Sequence, residues 1–290
     1  MRELLAALLC ALLLPAHAVT VRDDLGKSVS FARPPQRIVS LLPSLSESVC
    51  ALDACARLVA VDDYSNFPEA VRHLPHVGGI EDARVESIVA LKPDLVLAPT
   101  SSRALPRLEA LGLKVVALEP RTLADVRRVL LLLGPVLAAR DGTQAWQAIE
   151  AELAQVAHSL PPAQRGARVY FEVSSAPYAA SEASFIGELL ARIGVRNVVP
   201  AALGPFPRLN PEFVVRADPD VVMLAEDEAN APLATRPGWQ SLRAIRAGRV
   251  CRFTRAQADV LVRAGPRMAE GARLMVQCLA GGWRDGGAPR

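Results

Sequence analysis

From residue 37 onward the apolar positions form short unbroken runs, separated by stretches in which they recur every three or four residues. Arg37–Leu42 (RIVSLL), Leu58–Asp62 (LVAVD), Asp94–Ala98 (DLVLA) and Lys114–Leu118 (KVVAL) have the continuous character of strands buried on both faces. Candidate helices lie between them at 45–53, 85–91 and 103–111, so the first half is a βα series that predicts a parallel sheet. After Pro120 the periodicity turns helical, and Gly142–Leu160 is a long amphipathic helix that Pro161-Pro162 stops. A second series follows, with strands at Arg168–Val173, Asp220–Ala225 and Arg249–Phe253 and helices at 184–193 and 265–280. The pattern predicts an α/β chain of two Rossmann-like lobes, 19–120 and 163–281, joined through a helical linker at 121–162 by one long helix, with a tail at 282–290.

The amino terminus departs from this pattern. Residues 4–14 (LLAALLCALLL) are an unbroken apolar run behind Arg2, followed by Pro15 and Ala16-His17-Ala18. This is the pattern of a secretory signal cut after Ala18, which leaves residues 19–290 as an exported mature chain. Cys10 follows Leu9 rather than a small residue, so the expectation is a chain without a lipid anchor. The run is short for a membrane span, and the longest rival, at 129–139, contains Gly134-Pro135.

Composition then removes several functions. Thirty-three Lys and Arg against 30 Asp and Glu give a formal charge of +3, too small and too scattered for a nucleic-acid binder. Export leaves Cys50, Cys55, Cys251 and Cys278, an even set that reads as two disulfides with three possible connectivities. Pairing Cys50 with Cys55 and Cys251 with Cys278 would keep each bridge within one half of the chain. No HExxH, GxSxG, Walker or GxGxxG pattern is present, so the chain reads as a binder and not an enzyme. His73 and His76 could clip a metal, but the proline between them disfavours a shared helical face, and no metal site is expected.

An internal repeat gives the two-lobe reading a second support. Glu86-Ser-Ile-Val-Ala-Leu-Lys-Pro93-Asp94-Leu-Val-Leu matches Glu212-Phe-Val-Val-Arg-Ala-Asp-Pro219-Asp220-Val-Val-Met at a constant offset of 126 (212 − 86). In each copy a short helix starting at a glutamate runs into Pro-Asp and a strand. Duplication places Glu86 and Glu212 at equivalent surfaces on the two sides of the cleft.

A two-lobed exported chain without a catalytic set points to a ligand site between the lobes, lined by loops at strand ends. Those segments contain Pro43-Ser44, Asp62–Pro68 with Tyr64, Gly79-Ile80, Ser174–Tyr178 with Ser175, Leu203–Pro207 with Phe206, and Ala258–Arg263 with Asp259. Tyr64, Tyr178 and Phe206 offer flat faces to a large planar ligand, whereas Asp259 and Arg263, four apart, could pair with each other.

The run from Arg37 to Ala98, with Tyr64-Ser-Asn-Phe-Pro and Val85–Val96, together with Gly265-Pro266-Arg267, resembles the cobalamin-binding periplasmic proteins. These belong to the helical-backbone class of ABC-transporter substrate-binding proteins, which also contains ferric-siderophore and haem binders. The resemblance covers about residues 33–280. It implies a corrinoid as cargo, with no resident cofactor, and a monomer that delivers it to an inner-membrane permease with ATPase subunits. By the same resemblance Tyr64, Phe206 and the loops around Pro43, Gly79 and Ser175 line the corrin site, and Asp259 and Arg263 reach its amide and nucleotide side. Glu86 and Glu212 would pair with arginines of the permease. A cobalamin binder of this class carries tryptophans where this chain has Ile80 and Phe206.

Overall fold

The computed structural model describes residues 18–174, 177–225 and 233–281. The apolar run at 4–14, Ser175 and residues 282–290, read above as a signal, a site residue and a tail, therefore lie outside the described residues. The chain opens with strands β1 (Val19–Arg22) and β2 (Ser28–Phe31), an antiparallel hairpin that the periodicity did not announce. The first α/β series is β3 (Ile38–Ser40), α1 (Pro43–Ala51), β4 (Leu58–Val61), α2 (Val85–Ala90), β5 (Leu95–Ala98), α3 (Leu105–Ala110) and β6 (Val115–Ala117). Helices α4 (Leu123–Leu137) and α5 (Gly142–His158) follow. The second series is β7 (Arg168–Ser174), β8 (Tyr178–Ala179), α6 (Phe185–Arg192), β9 (Arg196–Asn197), α7 (Pro211–Ala217), β10 (Val221–Leu224), α8 (Arg243–Arg246), β11 (Val250–Arg252), α9 (Arg255–Leu261) and α10 (Met268–Leu279).

Strands β4-β3-β5-β6 form one parallel sheet. Strands β11-β10-β7 form a second parallel core, to which β9 adds in parallel and β8 antiparallel. Their apolar runs are continuous because both faces of each sheet are covered. One face of the first sheet packs Val39, Val96 and Ala117 against Ile88 and Leu108, and one face of the second packs Tyr170, Val222 and Leu224 around Trp239. The remaining faces share a single core: Ile38 and Leu97 from the first sheet and Val169 and Met223 from the second meet through Leu130, Leu133 and Leu153 of α4 and α5.

The expected single connecting helix is refined to two. Helix α5 packs on α4 along one side and on α10 along another, and α4 continues through Pro135 instead of breaking at Gly134-Pro135. Pro135 lacks the N–H that would bond the carbonyl four residues back, and the helix ends two residues beyond it; Thr122 starts the helix with a reciprocal capping box to Asp125. A Cβ on Gly142 would stand 2.2 Å from the Leu130 carbonyl oxygen, and one on Gly134 would stand 2.7 Å from the Gly142 nitrogen. The two helices thus cross with their backbones in contact. Disulfides join Cys50 to Cys55 and Cys251 to Cys278, each within one half of the chain. No helix among the described residues is long and apolar enough to cross a membrane.

Candidate functional site between the sheets

In a parallel sheet every strand ends at the same edge, so the following loops gather there. The carboxyl ends of β3, β5 and β6 carry Leu42-Pro43-Ser44, Pro99 with Ser101, and Glu119–Thr122. Opposite them stand Ala183 and Phe185 at the start of α6, Pro205-Phe206, and Val262–Ala264 after α9. With Ile80 they enclose a cavity of about 550 Å³, within the range of about 300–1,000 Å³ that suits organic ligands. Its apolar surface comes from Leu42, Ile80, Phe185, Phe206, Val262 and four prolines. Phe206 meets Phe185 edge to face at 6.4 Å, which fixes the orientation of the exposed ring.

Of the residues singled out from the sequence, Pro43, Ser44, Ile80, Phe206 and Arg263 line this cavity. Pro43 and Ser44 do so from the first turn of α1, not from a loop. Tyr64 and Asp259 line an adjoining smaller cavity of about 150 Å³, which also includes Arg263. The Tyr64 ring is 63% exposed and lies over Gly79, where a Cβ would meet it at 3.3 Å. The Gly79 amide donates to Asp82 Oδ1 at 2.7 Å, so that glycine serves the turn beneath the aromatic ring. Tyr178 stands apart: it pairs as the edge strand β8 with Ser174 and bridges to Arg208, and it lines neither cavity.

The charged groups at the cavity are engaged with one another. Glu119 accepts from the Thr100 hydroxyl and from Arg121 at 2.9 Å. Burial works to raise its carboxyl, but those two donors outweigh it and hold the group below the ordinary carboxylate range. Arg263 Nη1 donates to Glu47 Oε1 at 3.0 Å and Asn66 Oδ1 at 2.9 Å, and Nη2 to the Tyr64 carbonyl at 3.0 Å. Asp259 Oδ1 lies 3.3 Å from the same guanidinium, so the anticipated i,i+4 pair exists within a larger group. Asp259 itself sits on α9, capped by Thr254 and Gln257, and not on a loop.

Glu47 was not foreseen. Its carboxylate is almost fully buried and faces Arg263 and, at 3.7 Å, Arg267. Burial pushes its pKa up, and the two arginines only partly reverse that. Beneath the site the Ser65 hydroxyl donates to Asp62 Oδ2 at 2.5 Å and lies 2.8 Å from the Ser46 hydroxyl, which lies 2.9 Å from that of Ser40. This buried chain holds the loop after β4 against α1. Burial likewise raises the Asp62 carboxyl. His76 Nδ1 lies 3.0 Å from the Asp62 carbonyl oxygen, and no group of three or more possible metal ligands occurs among the described residues.

Glu86 and Glu212 each occupy the second position of their helices, α2 and α7, and both are highly exposed. Glu86 pairs with Arg107 at 2.5 Å and Glu212 with Arg216 at 3.9 Å.

Residues 38–256 match the family described as periplasmic binding protein. The chain belongs to that family. The periplasmic binding proteins it resembles work with ABC importers, binding a small ligand and presenting it to a membrane permease. An uncharacterized ABC transporter substrate-binding lipoprotein of Bacillus subtilis, YvrC, is 26% identical over 272 residues, covering 90% of this chain and 85% of the relative. The vitamin B12-binding protein of Pectobacterium atrosepticum is 28% identical over 263 residues, covering 85% and 89%. Among solved structures, the vitamin B12-binding protein BtuF of Vibrio cholerae superimposes with a TM-score of 0.70 at 24% identity, covering 85% of this chain and 97% of that one. A periplasmic haem-binding protein of Pseudomonas aeruginosa superimposes with a TM-score of 0.71 at 27% identity, covering 84% and 92%. Two-lobed architecture is thus common to relatives with different cargo.

Proposed function

We propose that this periplasmic binding protein carries cobalamin or a related corrinoid between its lobes and hands it to an inner-membrane permease, with no chemical step of its own. The observation that supports this reading is an apolar cavity whose charged groups are already neutralised by their neighbours. A bulky ligand held by shape, through Phe206, Ile80 and Val262, suits such walls. Haem would ask for an axial His, Tyr, Cys or Met and for cations free to meet its propionates. None of those four residue types lines the larger cavity among the described residues, and Arg121 and Arg263 are both paired.

Haem or a ferric siderophore is the second reading. Tyr64 favours it, because an exposed phenol next to Gly79 and Ile80 could ligate ferric iron. Titration of the purified protein with cyanocobalamin, cobinamide, haem and a ferric hydroxamate separates the two. Saturable binding of the corrinoids, little changed in Tyr64→Phe, is the expected result. Binding of haem alone, lost in Tyr64→Phe, overturns the corrinoid reading.

In this proposal residues 1–18 direct export, 19–120 and 163–281 are the lobes, 121–162 the link and 282–290 the tail. The mature protein is a monomer in the periplasm and holds no resident cofactor. Asp259, Tyr178 and Ser175 lie at the periphery of the ligand, and Glu86 and Glu212 contact the permease. An intact mass matching residues 19–290 is expected for the exported protein; a lipid-modified mass would place it with the Bacillus lipoprotein instead.

A further inference from the structure

The segment after α9 leaves the second sheet and lies directly on the first lobe. Its backbone at Gly265 is so close to α1 that a Cβ there would stand 3.3 Å from Ser44 Cβ and 3.5 Å from Glu47 Oε2. On one side of that contact Arg263, 9% exposed at its side chain, reaches Glu47 on α1 and the Tyr64 carbonyl and Asn66 beyond β4. On the other side Arg267 faces the same Glu47, stacks 3.8 Å over the Phe67 ring and is held by Glu270. Asn66 Nδ2 closes the set by donating to Asp259 Oδ2 at 2.7 Å. Every one of these bonds except that to Glu270 joins residues of 255–267 to residues of 43–68.

We propose that residues 262–267 are a strap, a second junction between the lobes beside α4 and α5, and that Arg263 and Glu47 are positioning residues that set the width of the ligand cavity. Val262, Arg263 and Ala264 of the strap and Pro43 and Ser44 of its seat all line that cavity, so the junction is itself part of the wall. Two junctions allow less relative rotation than one. Opening the strap separates a buried carboxylate from both of its cations, which is strongly unfavourable because the uncompensated charge stays in the interior. The cavity therefore has its working width before ligand arrives, and ligands are selected by size against a fixed frame.

The conformational claim stands apart from the identity of the ligand, while its selectivity arm rests on the corrinoid reading. Spin labels at Glu81→Cys and Leu203→Cys, exposed positions near Ile80 and Phe206 on opposite lobes, report the width in ligand-free protein. A single narrow distance, unmoved by cyanocobalamin, is expected for the otherwise native chain. Gly265→Val wedges the strap off α1 without altering a charge, Arg263→Met removes its anchor, and Asn66→Ala cuts two bonds while leaving Glu47 paired. Each is expected to broaden the distribution, with Arg263→Lys restoring part of the narrow component. The preference for cyanocobalamin over cobinamide is expected to shift by about tenfold in Gly265→Val. A wild-type distance distribution in folded Gly265→Val or Asn66→Ala overturns the strap. Failure of all corrinoids to bind overturns the ligand reading and leaves the distance measurement to decide the strap.

Discussion

The two copies of the Glu-to-Pro-Asp repeat share a frame and differ in what is attached to it. In the first lobe the Arg37 guanidinium donates to the Leu91 carbonyl at 2.7 Å, and Asp94 Oδ2 accepts from the Gln36 and Arg37 amides at 2.9 and 3.1 Å. In the second, Arg168 donates to the Ala217 carbonyl at 2.6 Å, and Asp220 Oδ2 accepts from the Arg168 amide at 2.9 Å. Leu91 and Ala217 are one repeat offset apart, as are Lys92 and Asp218, which share a left-handed backbone with φ of 48° and 38°. Each aspartate thus pins the start of the central strand to the end of a helix, and each arginine satisfies that helix's last carbonyls. Their surroundings diverge. Asn210 caps α7 whereas α2 has no side-chain cap, and Asp218 binds Arg243 at 2.6 Å whereas Lys92 has no such tie among the described residues. The two copies share the bonds that set helix against strand and differ in their outward-facing chemistry, with the two glutamates as the exposed feature present in both.

The largest expected effect tests whether that shared feature is functional. Reversing both charges, with Glu86→Arg and Glu212→Arg, should abolish permease-dependent uptake while ligand affinity stays within a few-fold; loss of affinity would move the glutamates into the binding site. Next in size, Asp94→Ala and Asp220→Ala each remove acceptors from strand-start amides and should lower stability by about 1–3 kcal/mol in denaturant titration. Asp220 should cost the more because it also holds Arg243 at 3.1 Å.

Smaller still, the same replacement at equivalent positions should act in opposite directions. Lys92→Gly relieves a left-handed residue and should be neutral to stabilising by up to about 1 kcal/mol. Asp218→Gly gives the same relief but forfeits the Arg243 bonds and should destabilise. The least effect is a pH dependence: the Arg243 amide and guanidinium hold Asp218 below the ordinary carboxylate range. Its contribution is therefore complete above that range and disappears as pH falls through the lowered folded-state value, so Asp218→Asn should match wild type in strong acid and fall below it near neutrality. Equal differences at both pH values would break this account.

The repeat was readable because each half of it is local: a helix, Pro-Asp and a strand within a dozen residues. The strands buried on both faces were readable for the same reason, since β5 and β10 are runs with no exposed position. The β1–β2 hairpin was not, because it alternates exposed and buried residues over four positions on each side. Helix α9 falls in a segment that the pattern assigns to a loop, although Thr254 and Gln257 spell its capping box. Within the site, Pro43, Ser44, Ile80 and Phe206 follow from the rule that strand ends gather at one edge. Thr122, after the end of β6, obeys the same rule but carries no feature that marks it, and Phe185 at the start of α6 lies six residues beyond β8. Glu47 was illegible in principle: it sits in a serine-rich stretch, SLSESV, that reads as a polar face, and its arginine lies 216 residues away. A single sequence holds no trace of a bond of that span.

The core that runs unbroken from one sheet through Leu130, Leu133 and Leu153 to the other bears on how such proteins can be recombined. Neither lobe owns a complete interior, so neither is expected to melt or to be expressed as a separate unit, and calorimetry should show one cooperative transition. A chimaera that exchanges a lobe with a relative must carry α4, α5 and the strap as one inheritance, because the crossover point that looks natural in the sequence runs through the middle of the shared interior.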